Sequence, residues 1–397
     1  MKILVVTNYY PPHHVGGYEL GCRDVVEKLR ARGHTLRVLT GGFRHRDIAD
    51  STGETGVERI LNLCAGPGDP PHDKRAECAK FSAALRRFAP DIVYFWNQGG
   101  LCHWLPIVAR WHRKPTAFFL SDTNFVSWRI AAWLVGAANN SPLVRGIFRK
   151  TFLAQGRSVL ENRTCHFASE FLRGVAQKNG IHVAEKNSLV AHWGIELKNF
   201  PADPRPRWPV KKLLYAGQMI PQKGVHTAIA AFALLAKEPG FEDLTFSLAG
   251  GGLHPDYEKK LREMPAQLGV AGRVSFLGQV PRAELPRVDA EHDVRVFPAE
   301  WDEPVAITPL EAIAGGLAVV GTTTGGSGEL FRDRETAMTF RAGDAADCAR
   351  ALRELCEDRI LFQTIARNAQ CEVRAKHTLD AMVDKIEASL NQQKAGA

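Results

Sequence analysis

Two series of short, β-rich runs separated by helical stretches constrain this chain more than any other feature. The first series opens with "KILVVTN", an apolar run without polar alternation, as in a strand buried on both faces. A loop, "NYYPPHHVGG", leads into "YELGCRDVVEKLRARG", which reads as an amphipathic helix stopped by Gly33, and "TLRVLT" follows as the next strand. This order predicts a parallel, doubly wound sheet, continued by "DIVYFW", "PTAFFL" and "CHFAS". The second series is "KLLYAG", "LTFSLAG", "RVSFLG", "VRVFP" and "LAVVGT". Between the two lies "PADPRPRWP", with four prolines in nine residues, which reads as a linker. Near the end, "TLDAMVDKIEASL" places Leu379, Met382, Val383, Ile386 and Leu390 on one helical face, with Thr378 as its cap.

A chain of 397 residues with 45% apolar content can fill two cores. The expected class is α/β, with two Rossmann-like domains whose parallel sheets face a cleft. The expected boundaries are 1–200, a linker at 201–210, a second domain at 211–375, and a C-terminal helix and tail at 376–397.

Composition narrows the function. The eight cysteines include no pair at C-x2-4-C spacing, so neither a zinc site nor a redox pair is indicated, and no metal is expected. "MKILVVTNYYPP" turns polar too soon for a secretory signal, and no run approaches the ~20 apolar residues of a membrane span. A cytoplasmic location is the expectation. The net charge of +8 is uneven: residues 1–200 hold 27 Lys/Arg against 16 Asp/Glu, a net of +11, and the remainder 24 against 27, a net of −3. The basic half should attract an anion. No nucleic-acid recognition signature accompanies it, so no nucleic-acid partner is expected.

The acids concentrate interest in "EPVAITPLE", Glu303 to Glu311. It follows the strand "VRVFP". Thr308, Pro309 and Glu311 read as a helix start of capping-box type, so Glu311 reads equally as a capping carboxylate. The loop amides and the first helical turn would form an anion site, with Glu303 reaching toward what the anion carries. Carboxylates grip sugar hydroxyls well, because each accepts several hydrogen bonds. A solvated loop acid is the plainer alternative for Glu303. Lys223, in "GQMIPQKG", lies just before or at a helix start, where a cation is disfavoured unless an anion shares the site; an exposed lysine is the alternative. Gly16-Gly17, "LAGGG" (which holds Gly250) and "TGGSGE" are glycine-rich strand exits that allow close backbone approach to phosphate, or simply tight turns.

Taken in order, "GQMIPQKG", "LAGGG", "FLGQVP", "EPVAITPLEAIAGG" and "TGGSGE" closely resemble the C-terminal domain of retaining glycosyltransferases of family 4, which have the GT-B fold. The family's Glu-x7-Glu motif matches Glu303 and Glu311. "TNYYPPHHVGGYE" resembles its donor-phosphate loop. The resemblance implies a hexosyltransferase that uses a nucleoside-diphosphate sugar, UDP- or GDP-linked, as co-substrate, with no other cofactor. Glu311 would hold the ribose hydroxyls, Glu303 the donor sugar, Lys223 the diphosphate, and the Gly16 amide, beside Gly17, the distal phosphate. Gln218, Gly250 and the run Pro304, Val305, Ala306, Ile307 and Thr308 would complete the donor site, and the backbone after Phe276-Leu277-Gly278 would line the base pocket. Three positions depart from the family. Gln218 stands where an arginine is usual, Ser121-Asp122 where a His-Asp pair is frequent, and Tyr94 and Trp96 where histidines are frequent.

The implied mechanism retains anomeric configuration without a metal, since the chain has no D-x-D pair, and the departing phosphate takes the acceptor proton. Ser121, Asp122 and His103 are candidates for the acceptor side, with His192 nearby. From Thr123 to Leu160 there are 38 residues without Asp or Glu, containing Arg129, Arg145, Arg149, Lys150 and Arg157 among Phe125, Trp128, Trp133 and Phe148. This pattern suits an anionic membrane surface or a lipid-linked acceptor, or else an ordinary helical arm. A saccharide acceptor is the other possibility. A nucleotide-sugar epimerase and a non-catalytic nucleotide-sugar binder are the competing functions.

Overall fold

A computed structural model describes residues 1–43, 56–64, 73–127, 158–161, 163–202, 206–251, 254–305 and 307–395. The chain forms two compact units, Met1–His192 with Met382–Ala397, and Trp193–Ala381.

In the first unit seven parallel strands lie in the order β3-β2-β1-β4-β5-β6-β7. They are β1 (Lys2–Thr7), β2 (Thr35–Gly41), β3 (Val57–Leu61), β4 (Ile92–Phe95), β5 (Thr116–Leu120), β6 (Thr164–Phe167) and β7 (Ser188–Val190). The helices α1 (Gly17–Ala31), α2 (Lys74–Phe88), α3 (Leu105–Trp111) and α4 (Glu170–Lys178) connect them. The central strands β4, β5 and β6 are buried at every position, which explains the apolar runs of β4 and β5, while β6 also buries Thr164 and His166. Each such Val, Ile, Leu or Phe contributes about 1.5–3 kcal/mol by leaving water.

The second unit repeats the plan with six parallel strands in the order β10-β9-β8-β11-β12-β13. They are β8 (Lys212–Ala216), β9 (Thr245–Ala249), β10 (Val274–Gly278), β11 (Val294–Phe297), β12 (Ala318–Gly321) and β13 (Met338–Thr339). Its helices are α5 (Val225–Leu235), α6 (Pro255–Gln267), α7 (Leu285–Ala290), α8 (Thr308–Ala314), α9 (Ala345–Glu357) and α10 (Arg359–Lys376). In both sheets the chain starts in the middle, builds one way, then returns to the first strand and builds the other way. The reversal falls between β1 and β4 in one sheet and between β8 and β11 in the other. Ligands of open α/β sheets bind outside the carboxyl ends of strands at such a reversal.

The last helix, α11 (Leu379–Ala395), has its apolar face buried as expected, and Thr378 Oγ accepts from the Ala381 amide at 3.0 Å. From Met382 onward it belongs to the first unit, where Ser389 Oγ meets His166 Nε2 at 2.9 Å and Gln393 donates to the Thr116 carbonyl at 2.8 Å.

The proline-rich stretch expected as a linker is instead part of the second unit. Its described residues pack down: Arg207 Nε donates to Asp293 at 3.1 Å, Trp208 stacks at a tilt on Phe362, and Val210 joins the core. Proline forbids a strand or helix there but does not prevent packing, so the change of unit falls at residues 192–193. No disulfide joins any of the eight cysteines. Among the described residues no helix is long and apolar enough to cross a membrane.

Candidate active site

The β8 exit is folded by Tyr215, whose hydroxyl donates to the Gln218 carbonyl at 2.7 Å. Pro221–Lys223 then makes a single 3-10 turn, and Gly224, at φ +63°, starts the approach to α5. A Cβ at Gly224 would lie 1.9 Å from the Pro298 carbonyl oxygen, so this exit presses directly on the exit of β11. The Glu300 amide donates to the Gln222 carbonyl at 2.9 Å across the same seam.

That packing brings Lys223 to Glu303. The ammonium pairs with Glu303 Oε2, and the Trp301 indole Nε1 donates to the same oxygen at 3.0 Å. The ammonium also lies 5.7 Å from the centroid of the Trp301 ring. Glu303 is 5% exposed, so it is not a solvated loop acid. Its carbonyl accepts from the Gly326 amide at 2.8 Å, which assigns "TGGSGE" a place: the turn backs the Glu303 loop.

Glu311 corrects one expectation. No capping box forms. Ile307 occupies the cap position with helical dihedrals, so Thr308 already lies inside α8 and makes no side-chain cap bond. The Glu311 carboxylate instead accepts from Arg282 Nε at 2.8 Å. Burial raises the Glu311 carboxyl above its ordinary range, and Arg282 opposes that shift. Beyond this pair lies another, Asp289 with Arg295, both fully buried.

Gly250, at φ +140°, closes the β9 exit onto the β8 exit: a Cβ there would lie 1.9 Å from the Gly217 carbonyl oxygen. Its amide donates to the Gly278 carbonyl at 2.7 Å. Pro304 is buried, Val305, Ile307 and Thr308 are half-buried, and Ala306 lies outside the described residues. Gln218, Lys223, Gly250, Glu303 and Glu311 thus stand on the carboxyl-end loops of β8, β9 and β11 or the helix that follows. A recess of about 570 Å³ lined by Leu277, Ser247 and Lys212 runs along the flank of β8–β10 and includes neither Lys223 nor Glu303.

In the first unit Gly16 precedes α1 in extended conformation, and its amide donates to Glu19 Oε2 at 2.9 Å. The amide expected to meet a phosphate therefore holds the helix's own acid, whose carboxyl is raised by burial. Gly17 opens the helix and is exposed. Ser121 and Asp122 follow β5; Asp122 accepts from the Asn124 amide at 2.8 Å, and its carboxyl is raised by burial. His103 is exposed in the turn before α3, and His192 is half-buried. Of the basic, aromatic stretch, residues 128–157 lie outside the described residues. Among the described residues no group of three or more His, Cys, Asp or Glu side chains is placed to hold a metal ion.

Two residues of the site were not singled out from sequence. Trp301 stands two positions before Glu303, so proximity alone could have marked it. Arg282 lies 29 positions before Glu311, and its pairing is set by the packing of α7 against α8.

Residues 201–372 match the family model described as "Glycosyl transferases group 1". Two curated relatives align along nearly the whole chain. A glycogen synthase of Mycobacterium tuberculosis is 26% identical, over 93% of this chain and 89% of the relative. A GDP-mannose-dependent alpha-(1-6)-phosphatidylinositol monomannoside mannosyltransferase of the same organism is 24% identical, over 97% of each. Among solved structures, Anabaena Alr3699/HepE in complex with UDP aligns with a TM-score of 0.74 at 21% identity, covering 99% of this chain and 100% of that one. The fold is GT-B. The matches support the glycosyltransferase superfamily and with it a transferase enzyme.

Proposed function

We propose that the protein is a retaining family 4 hexosyltransferase, moving a hexose from a UDP- or GDP-linked sugar to a saccharide or lipid-linked acceptor without a metal ion. The observation that carries this reading is the meeting of Lys223 and Glu303 where the second sheet reverses direction, with Glu311 on the helix that follows. One relative is named as GDP-mannose-dependent and one structural neighbour as a complex with UDP, and both support a nucleotide-linked donor.

Negative charge grows on the leaving diphosphate as the C1–O bond breaks, and Lys223 would offset it. Lys223 would exchange its carboxylate partner for the diphosphate, and Glu303 would turn to donor-sugar hydroxyls. The acceptor oxygen forms its bond to C1 from the same face, and its proton passes to the departing phosphate, so no protein base is needed. Glu311 would hold the ribose, and the Gly16 amide would meet the distal phosphate after releasing Glu19.

A panel of nucleotide sugars with candidate acceptors tests the reading, with the product anomer assigned by NMR. Lys223→Ala and Glu303→Ala should each lower transfer by about 10²–10³-fold while circular dichroism stays unchanged. Activity should survive EDTA. Full activity in both variants removes the assignment. An epimerised donor without transfer would favour the isomerase, and nucleotide release that ignores the acceptor would favour the binder. A cytoplasmic site of action, with peripheral contact to an anionic membrane, belongs to the same proposal; sedimentation with anionic and neutral vesicles tests the contact, and equal failure to bind both would discard it.

A further inference from the structure

We propose that Trp301 is a positioning residue for Glu303, holding the carboxylate through its indole N–H when Lys223 turns to the diphosphate. The inference rests on the reading of Glu303 as the donor-sugar contact.

Both donors to Glu303 converge on one oxygen, Oε2, which takes the Lys223 ammonium and the indole N–H at 3.0 Å. Among the described residues no side chain is bonded to Oε1, which keeps its acceptor capacity. A diphosphate competes for the lysine, because it offers that ammonium more negative charge than one carboxylate does. Once the lysine moves, the indole is the donor left to fix the orientation of the carboxylate. A hydrogen bond to a charged acceptor is about twice as strong as a neutral one, and this acceptor is almost wholly removed from water.

The ring has a second part in the arrangement. The Lys223 ammonium lies within cation–π distance of it at 5.7 Å, so one side chain touches both members of the pair. Trp301 itself is 39% exposed, so the indole is open on one side to the solvent. The backbone reinforces the link: the Glu303 amide donates to the Trp301 carbonyl at 2.6 Å, a tight turn that presents both side chains together.

Two substitutions separate the parts. Trp301→Phe keeps a ring and removes the N–H. Trp301→Gln removes the ring and keeps a donor nitrogen at the same four bonds from Cα. For the nucleotide sugar that the wild type uses, Trp301→Phe should lower kcat about tenfold, with the donor KM and the nucleoside-diphosphate Kd within about twofold. Trp301→Gln should recover part of kcat. Unchanged kcat in Trp301→Phe, or a loss confined to KM, overturns the inference.

A substrate-free measurement keeps this result distinct from the fate of the functional reading. The chain has eight tryptophans, so ¹⁵N-tryptophan labelling gives eight indole resonances. The Trp301 signal is the one absent from Trp301→Phe. In Glu303→Ala that signal should move upfield and exchange faster with solvent while the other seven stay in place. A signal that does not move refutes the positioning role even in an active enzyme. A signal that moves in a protein inert to every nucleotide sugar supports the contact and refutes the functional reading.

Discussion

Glu311 is 6% exposed and has one guanidinium beside it, and that balance has a measurable pH signature. Burial raises its carboxyl above 4.5, and Arg282 stabilises the charged form. Removing the arginine leaves a buried, unpaired carboxylate at neutral pH. Arg282→Ala should therefore cost about 1–3 kcal/mol at pH 7.5, a range reduced from that of fully buried pairs because Arg282 is a quarter exposed. The penalty should shrink as pH falls through the raised value, since the protonated acid needs no cation. Urea unfolding at pH 7.5 and pH 4.5 checks this, and an equal penalty at both would contradict it. The two glutamates were legible in the sequence because a spaced motif survives in one dimension. Their pairings were not: Lys223 was named from the sequence, but its meeting with Glu303, 80 positions on, is closed only by packing, and Arg282, 29 positions from Glu311, was missed for the same reason. Arg295 was hidden for another reason: inside "VRVFP" it reads as one polar interruption, yet it is wholly buried against Asp289.

At the scale of elements, the seam between the β8 and β11 exits decides whether the site assembles. Gly224 combines φ +63° with a carbonyl oxygen where a methyl would go. Gly224→Ala should destabilise the second unit by at least about 2 kcal/mol, seen as a lower urea midpoint at unchanged slope, and should depress activity through Lys223. A midpoint equal to the wild type's would mean that the seam yields easily. The apolar central strands were readable from their unbroken local runs. β3, β7 and β13 were not. They lie at sheet edges, and β13 is only two residues long, so the double burial that produces an apolar run is missing. The capping box failed on a boundary of one residue, a scale on which local pattern competes with tertiary contacts.

Across the molecule, the first unit carries an acid-sensitive point of its own. His166 is fully buried between the Tyr94 hydroxyl at 2.8 Å and Ser389 at 2.9 Å, and burial pushes it down to about 3. The unfolded chain binds the proton near 6.5, so stability is full above that pH and falls as pH drops toward 3. Between pH 7 and 4 the loss should be roughly 3 kcal/mol greater than in His166→Gln, which keeps hydrogen-bonding capacity without the titration. Parallel pH profiles for the two proteins would rule this out. The two-series order in the sequence foretold two sheets. It did not reveal where the chain changes unit, because prolines mark irregular backbone whether that backbone is loose or packed.

The position of α11 sets an order of events in the cell. Its buried face covers the first unit, yet it is the last described segment to be synthesised. Nearly 190 residues, Trp193–Ala381, leave the ribosome before Ser389 and Gln393 reach the sheet, at His166 and the Thr116 carbonyl. The first unit of this protein is thus finished after the second, and a chain stopped before Ser389 would damage the unit made first.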